Sequence, residues 1–313
     1  MNPELGLLQM FGISVLFAQI AERKERNLIM QKELHEENRR SWNVATDAHN
    51  SHKGDQASFF RHGGNKLYLE EKELLGEITG LSVVHLLCNA GQDTLSLAQM
   101  GAVVTGVDIS DTAIAFARTL SADSGVPATF YRMDVYDWLE EAAKEGQQFD
   151  LVFCSYGAIH WLSNLSVWVR GVATVLKTGG RFITVDYHPV MAMFDEHLNR
   201  KFPYFRKNMA VTMENGIPDY VAARGKGLPN TSYVEGIKDF KNPYRAYRFP
   251  WGIGEIITAL LEGGLRLTHF QEYPHANGDK PFLHMENAGH SWSLPDDQPT
   301  MPLMYAIVAD KPL

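Results

Sequence analysis

The stretch Val83–Ser110, VVHLLCNAGQDTLSLAQMGAVVTGVDIS, decides the fold of this chain. Its apolar pattern predicts a strand, a tight turn, a helix and a second strand, at Val83–Leu87, Cys88–Gly91, Asp93–Met100 and Val103–Val107. A turn that opens a helix aims backbone N–H groups at a ligand above it, and an acid after the next strand is placed to bind both hydroxyls of a ribose. Because Asp108 follows Gly91 by 17 residues, the spacing of one such circuit, the stretch predicts a nucleoside pocket.

The turn has few glycines for a nicotinamide dinucleotide. Proteins that bind this ligand typically have the motif Gly-x-Gly-x-x-Gly, because its glycines let a pyrophosphate lie almost on the backbone. Here Gly91 is the single glycine of the turn, and Asn89 stands where another would be wanted. The sequence therefore disfavours a nicotinamide-dependent oxidoreductase, which stays as an alternative.

The same residues resemble the class I, seven-strand methyltransferases that use S-adenosylmethionine (SAM). They are most similar to a branch with the turn LHLQC-x-x-G-x-DTLS-x-A followed by GVD-x-S, and the corresponding stretches here are His85–Ser96, HLLCNAGQDTLS, and Gly106–Ser110, GVDIS. Leu176–Phe182, LKTGGRF, matches the LKPGG-x-F piece of the same family. The family at large has an acid where His85 stands and glycines at Leu87 and Asn89. The cofactor contacts of that acid and those glycines are therefore not expected here in the same form.

The resemblance implies an α/β fold with a doubly wound, mostly parallel sheet of seven strands, and SAM as the cofactor. It implies cofactor contacts in and after the turn, at Cys88, Asn89, Gly91, Thr94, Asp108, Ile109 and Ser110. Asp134, with Val135 beside it, matches the acid that receives the adenine amino group, or it could cap the helix predicted at Tyr136–Glu145. Trp42 matches an aromatic that covers the cofactor, since a sulfonium is attracted to an aromatic face, or it anchors the preceding helix.

Beyond Asp108, helices and strands alternate as a parallel sheet requires. Further strands are predicted at Ala128–Arg132, Asp150–Cys154, Phe182–Tyr187, Leu265–Tyr273 and Leu303–Ala309. Helices are predicted at Asp111–Ser124, Leu165–Leu176 and Ile253–Glu262. We expect Gly179 and Gly180 to end the helix at Leu165–Leu176 in a left-handed turn.

The residues after the predicted strand Asp150–Cys154 should face the ligand, because ligands bind at the carboxyl ends of parallel strands. Ser155 is the predicted contact for the amino-acid end of the cofactor. His160 is the first choice for acid–base catalysis and His188 the second, since imidazole titrates near neutrality. Alternatively, His160 beside Trp161 is only structural. A carbon acceptor would need no base, so transfer to oxygen, nitrogen, sulfur or carbon stays open.

Residues 1–41 are predicted to form a helical extension, and residues 42–313 the methyltransferase domain. Leu5–Ala21 is apolar, but it lacks the basic start of a secretory signal and is short for a membrane span. It continues without a breaker into the charged stretch Glu22–Arg40. We expect one long helix that covers the active-site mouth or contacts another subunit, which predicts a homo-oligomer; alternatively, it covers its own domain.

An insertion of about sixty residues, 188–250, follows the fifth predicted strand and is rich in aromatic side chains. They are Phe194, Phe202, Tyr204, Phe205, Tyr220, Tyr233, Phe240, Tyr244, Tyr247 and Phe249, with Tyr187 and Trp251 at the two ends. We expect many of them to line a lid or a cavity for an apolar or aromatic small molecule. The alternative is a second small core that binds nothing.

The composition of the chain disfavours some classes of binding partner. The net charge of −8 and the absence of a Lys/Arg cluster disfavour nucleic acid, and no Cys/His cluster has the spacing of metal ligands. Cys88 and Cys154 are expected to be free thiols in a reducing, cytoplasmic compartment. The sequence therefore predicts a SAM-dependent methyltransferase of small-molecule, specialised metabolism, with a SAM-binding protein without turnover as a further alternative.

Overall fold

A computed structural model describes residues 31–206, 209–225, 233–289 and 291–313. The strands of this part of the chain are β1 (Ser82–Leu86), β2 (Val103–Asp108), β3 (Thr129–Arg132), β4 (Phe149–Ser155), β5 (Leu176–Tyr187), β6 (Val211–Met213), β7 (Ala246–Arg248), β8 (Arg266–Tyr273), β9 (His275–Asn277), β10 (Glu286–Ala288), β11 (Ser291–Ser293) and β12 (Met304–Asp310). The α-helices are α1 (Lys32–Ser51), α2 (Gln56–Arg61), α3 (Leu69–Leu75), α4 (Gln92–Gln99), α5 (Asp111–Ser124), α6 (Val135–Lys144), α7 (Leu165–Val175), α8 (Tyr220–Arg224) and α9 (Ile253–Glu262).

A seven-stranded sheet with the order β3-β2-β1-β4-β5-β12-β8 forms the centre of the fold. The five strands from β3 to β5 are parallel, whereas β12 runs antiparallel to both of its neighbours. This confirms the predicted α/β fold with a mostly parallel sheet. The strand order changes direction between β1 and β4, and such a switch point is where open α/β sheets bind ligands.

The core lies on both faces of this sheet. Leu151, Val152 and Phe153 of β4 are fully buried, because helices cover a central parallel strand on both sides. On one face, Trp168 of α7 and Trp138 of α6 pack against the sheet. The continuous apolar run predicted for this strand is therefore explained by its central position.

The glycines after α7 do not end that helix, so this prediction was wrong. Helix α7 ends at Val175, and Leu176 already has an extended backbone, with φ −76° and ψ 135°. Gly179 and Gly180 lie within β5, where the pairing with β4 is interrupted by a register shift. Gly179 has a φ of +78°, and its N–H donates a 2.9 Å hydrogen bond to the carbonyl of Lys311. The glycines thus shape a bulge instead of a helix cap.

The charged N-terminal helix continues further than predicted, because α1 runs unbroken to Ser51. Its buried stripe includes His35, Asn38 and Ala45, at the spacing of one helix face. This face packs against β7 and α5. The apolar stretch Leu5–Ala21 lies outside the described residues. Within the described part of the chain, no helix has both the length and the apolarity needed to cross a bilayer.

Two smaller sheets flank the central one. Strands β6 and β7 of the insertion form an antiparallel pair. Strands β10, β11 and β9, which lie between β8 and β12 in the chain, form a three-stranded sheet. The sequence pattern did not predict this sheet. Both small sheets lie beside the ligand cavity described below.

Candidate active site

A cavity of about 1070 Å³ opens at the carboxyl ends of the central strands. Its floor includes Leu87 after β1, Asp108 at the end of β2 and Ser155 at the end of β4. The volume exceeds the range of about 300–1,000 Å³ typical of small-ligand pockets. The cavity therefore has room for a nucleoside and a second small molecule side by side.

Most of the residues predicted to contact a cofactor or to act in catalysis line this cavity. They are Trp42, Cys88, Asn89, Asp108, Ile109, Asp134, Val135, Ser155 and His160. Three others are not among the lining residues. Gly91 precedes α4 with a φ of +79°, Thr94 is hydrogen-bonded to His85 at 2.9 Å, and the Ser110 side chain caps α5. These three shape the elements that carry the lining residues.

The turn after β1 keeps a left-handed backbone without the glycines found in similar proteins. Leu87 and Asn89 have φ values of +55° and +48°. Asn89 tolerates this conformation, and its Oδ1 accepts a 2.7 Å hydrogen bond from the N–H of Ala90. For Leu87 the same conformation costs about 1–2 kcal/mol. Backbone strain of this kind is typical of ligand-binding segments, and both residues line the cavity.

Asp108 is fixed by the backbone on both sides. Its Oδ2 accepts a 2.8 Å hydrogen bond from the N–H of Asn89, and its Oδ1 accepts one of 2.8 Å from the N–H of Ser110. Burial raises the pKa of Asp108 to about 6, against the effect of these N–H donors. A carboxylate has about four acceptor sites, so Asp108 has acceptor capacity left for a hydroxyl donor.

Asp134 has the capping role proposed for it and also lines the cavity. Its Oδ1 accepts a 2.9 Å hydrogen bond from the N–H of Tyr136 at the start of α6. Its Oδ2 lies 2.7 Å from Nδ1 of His35 on α1, and Nε2 of His35 lies 2.7 Å from Oγ of Ser163. Burial raises the pKa of Asp134, but the interactions with His35, the N–H of Tyr136 and Lys32 together outweigh it and leave the pKa below its usual value. Helix α1 is thus joined directly to the site.

A half-buried ion pair, formed by Lys66 and Asp93, lies next to Ser155. Lys66 is also a possible pocket residue from the sequence, whereas its pairing with Asp93 was not predicted. Nζ of Lys66 donates a 2.8 Å hydrogen bond to Oδ1 of Asp93, and Oγ of Ser155 lies 3.4 Å from Oδ2. Burial lowers the pKa of the neighbouring His85 to about 4, so its ring is neutral. The carboxylate next to Ser155 is thus that of Asp93, in the first turn of α4 and within the DTLS motif.

The segment after β4 is held by the carboxylate of Asp186, at the end of β5. Asp186 accepts hydrogen bonds from the backbone N–H groups of Gly157, Ala158 and Ile159. This segment places His160 in the wall of the cavity. The carbonyl of His160 accepts a 2.7 Å hydrogen bond from the N–H of Phe249.

The two histidines proposed for acid–base work both line the cavity. Burial and the positive charge of Arg248 lower the pKa of His160 to about 3, so its ring is neutral at physiological pH. His188 lies 3.0 Å from Oε1 of Glu272. Burial lowers the pKa of His188, although Glu272 acts in the opposite direction.

Helix α1 and the insertion together cover the cavity. Trp42 and Trp161 make an edge-to-face contact with ring centroids 5.5 Å apart. Asn38 donates to the carbonyl of Tyr247 and accepts from its N–H, at 2.9 and 2.7 Å. Trp42 also packs with Ala45 in a small apolar cluster. Trp42 therefore lies within α1, packs in this cluster and lines the cavity. Its role as a cover for the cofactor stays a prediction.

The aromatic side chains of the insertion divide into two groups. Those that line the cavity are Phe194, Phe202, Tyr220 and Tyr233, together with Tyr187 and Trp251. Others lie elsewhere: Phe249 is in the core and Phe205 is 78% exposed. Trp292 of β11 completes the apolar wall. The sequence pattern gave no indication of this last contribution, because the segment between β8 and β12 has no family motif.

Cys88 and Cys154 are free and buried, as expected. Across the described residues, no group of three or more His, Cys, Asp or Glu side chains is arranged to hold a metal ion.

Residues 83–180 match a family model described as a methyltransferase domain. A ubiquinone biosynthesis O-methyltransferase from Bordetella avium is 33% identical over 136 residues, which cover 42% of this chain and 55% of that protein. An uncharacterized methyltransferase from Synechocystis is 38% identical over 111 residues, which cover 35% of this chain and 48% of that protein. The chain thus spans about half the length of the curated relatives that it matches.

The fold is also similar to that of a solved structure. A Listeria monocytogenes protein described as an S-adenosylmethionine-dependent methyltransferase matches with a TM-score of 0.50 at 20% identity, over 78% of this chain and 97% of that one. This likeness concerns the fold alone, and it agrees with the strand order described above. Over residues 83–180, this chain is thus similar to methyltransferase domains, and its fold is similar to that of the Listeria protein.

Proposed function

We propose that this protein transfers the methyl group of SAM to an apolar or aromatic small molecule. One observation carries the proposal: a single cavity joins Asp108 and Asp134, at the ends of β2 and β3, to the aromatic wall of the insertion. The acidic end suits a nucleoside, and the aromatic end suits a flat apolar acceptor.

The residues at the acidic end fit a nucleoside that carries an amino-acid chain. We assign the remaining acceptor capacity of Asp108 to the ribose hydroxyls, and Asp134, which lines the same cavity, to the adenine amino group. We assign Ser155 and the Lys66–Asp93 pair to the charged amino-acid end, since the pair offers both a cation and an anion.

SAM, when bound, supplies a methyl group already activated by a sulfonium. The work left to this chain is to hold both reactants in line and to exclude water. We assign His160 to the acceptor side, where its neutral ring can accept a hydrogen bond from a hydroxyl. With a pKa of about 3 it is a weak base, so placement contributes more than proton transfer. The Bordetella relative is named as an O-methyltransferase, which favours an oxygen acceptor.

We further propose a cytoplasmic location, which the two buried free thiols support. Assembly into a homo-oligomer through residues 1–41, and the division at residue 42, stay predictions, because the apolar stretch Leu5–Ala21 lies outside the described residues.

Calorimetry with SAM, S-adenosylhomocysteine (SAH) and NADH, followed by a transfer assay with methyl-labelled SAM and a panel of aromatic acceptors, tests the proposed function. We expect micromolar binding of SAM and SAH, no binding of NADH, and label in at least one acceptor. Binding of NADH instead of SAM would contradict the proposal. Binding of SAH without transfer to any acceptor would favour the alternative of a SAM-binding protein.

A further inference from the structure

We propose that the methyl acceptor carries a carboxylate, and that Arg248 binds this group inside the cavity. The inference rests on the proposed function, because it assigns the substrate class of the same cavity. It follows from the placement of Arg248 and from the charges and side chains around it.

Arg248 is the last residue of β7 and lines the cavity. Its neighbour Phe249 is hydrogen-bonded to the carbonyl of His160, which places Arg248 beside the segment after β4. Burial lowers the pKa of Arg248, yet its side chain stays accessible to water-sized molecules because its free surface faces the cavity. Among the described residues, no side-chain hydrogen bond or ion pair is made by this guanidinium, and an arginine stays charged inside a protein.

A second guanidinium, that of Arg206, lines the same cavity. It lies over the ring of Phe202, 5.1 Å from the centroid, and donates to the carbonyls of Ala192 and Pro203 at 2.9 and 3.2 Å. These carbonyls position Arg206 without neutralising it. Its charge also acts on Arg248, whose pKa it lowers.

The acid that acts on Arg248 is Asp279, which raises its pKa against the effects of burial and Arg206. Asp279 also has a further interaction besides this one. Two guanidinium groups and one acid leave this end of the cavity positive, in a chain with a net charge of −8. Both guanidinium groups line the cavity, where an anionic ligand can accept hydrogen bonds from them.

The aromatic side chains around the two arginines favour an anionic group that is attached to an apolar molecule. Phe194, Phe202 and Trp292 line the cavity with the two arginines, and such walls suit an aromatic ring. A guanidinium binds a carboxylate through two parallel hydrogen bonds. Arg248 lies next to Phe249, which is hydrogen-bonded to the His160 backbone. A carboxylate at Arg248 can therefore belong to the same small molecule that we assign to His160.

The test compares matched acids and amides on the SAH-saturated protein: benzoate, cinnamate and salicylate against benzamide, cinnamamide and salicylamide, by calorimetry. We expect the acids to bind about tenfold or more tightly than the amides, the ratio that a charge-assisted hydrogen bond supplies. In Arg248→Gln the ratio should fall to about one, and Arg248→Lys should keep part of it. The control is Arg245→Gln, since Arg245 is exposed and pairs with Glu214 at 2.8 Å; it should keep the wild-type ratio.

Equal binding of acids and amides, no binding of any acid, or an unchanged ratio in Arg248→Gln would each overturn the inference. SAH affinity, measured on every variant, shows whether the variant is folded. If Arg248→Gln does not fold, Arg206→Gln takes its place and should reduce the ratio by a smaller factor. Failure of the wild-type protein to bind SAH would contradict the proposed function itself, whereas SAH binding without a preference for acids contradicts only the carboxylate.

Discussion

Oδ2 of Asp108 accepts a 2.8 Å hydrogen bond from the backbone N–H of Asn89. The bond joins the end of β2 to the left-handed turn after β1, in which Asn89 has a φ of +48°. The acid that faces the ligand and the turn that surrounds it are therefore one unit. A substitution of Asp108 should therefore also affect the conformation of the turn at Asn89, and the reverse.

The first prediction concerns the affinity for SAH. Replacing Asp108 with Ala removes the acceptor of the ribose hydroxyls, so we expect SAH to bind about 10- to 150-fold more weakly, equivalent to about 1.5–3 kcal/mol. Calorimetry measures the change. Asp123→Ala, at an exposed position on α5, is the control and should bind SAH as the wild type does. Unchanged affinity in Asp108→Ala would remove this residue from the binding site.

The second prediction is the pH dependence of the same affinity. Burial raises the pKa of Asp108 from its usual 3.8 to about 6, and hydroxyl donors bind the ionised form. A proton therefore competes with the ligand: affinity should be constant above about pH 7 and fall as the pH drops through about 6. In Asp108→Asn the decline should vanish. A decline that persists in this variant would assign the titration to another group.

The sequence predicted the sheet well because its signals are local. The apolar runs of β1 and β4 are each recognised from a few neighbouring residues. The same holds for Asp108, which the length of one strand–helix–strand circuit places at the site.

What the sequence could not predict depends on contacts between distant segments. Asp186 binds the segment after β4 across 27 to 29 residues, and His35 meets Asp134 across 99. Nothing near these residues in the chain marks such partners. The bulge at Gly179 is similar, because the pairing with Lys311 decides its conformation.

The third prediction separates backbone conformation from packing. At Gly91, with φ +79°, an added Cβ would lie 2.7 Å from Cβ of Ala117 and 2.9 Å from the ring of Phe130. Gly91→Ala should lower the free energy of unfolding by about 2–5 kcal/mol, the sum of conformational strain and overpacking. Gly146, with φ +71°, has nothing within 4 Å of that position, so Gly146→Ala should cost about 1–2 kcal/mol. Equal losses in urea denaturation would show that packing at Gly91 contributes nothing.

The fourth prediction concerns Asp186, whose carboxylate accepts from the N–H groups of Gly157–Ile159. Asp186→Ala leaves these buried donors without an acceptor, so the free energy of unfolding should fall by about 2–3 kcal/mol. Thr184 on the same strand is fully buried, and its hydroxyl has no partner among the described residues. The isosteric Thr184→Val should therefore leave stability unchanged or raise it. Denaturation curves that rank the two variants in the opposite order would refute this account of the segment.

The fifth prediction tests whether His160 acts on the acceptor and not on the cofactor. In His160→Ala, the acceptor loses a hydrogen bond that places it, so the rate of transfer to an acceptor found in the screen should fall by ~10², while SAH affinity stays unchanged. Because the pKa of His160 is lowered to about 3, the pH–rate profile of the wild type should show no inflection from this ring near neutrality. His197→Ala, an exposed position in the insertion, is the control and should keep the wild-type rate. Weaker SAH binding in His160→Ala would make this residue a cofactor ligand. A normal rate would show that transfer does not depend on the His160 side chain.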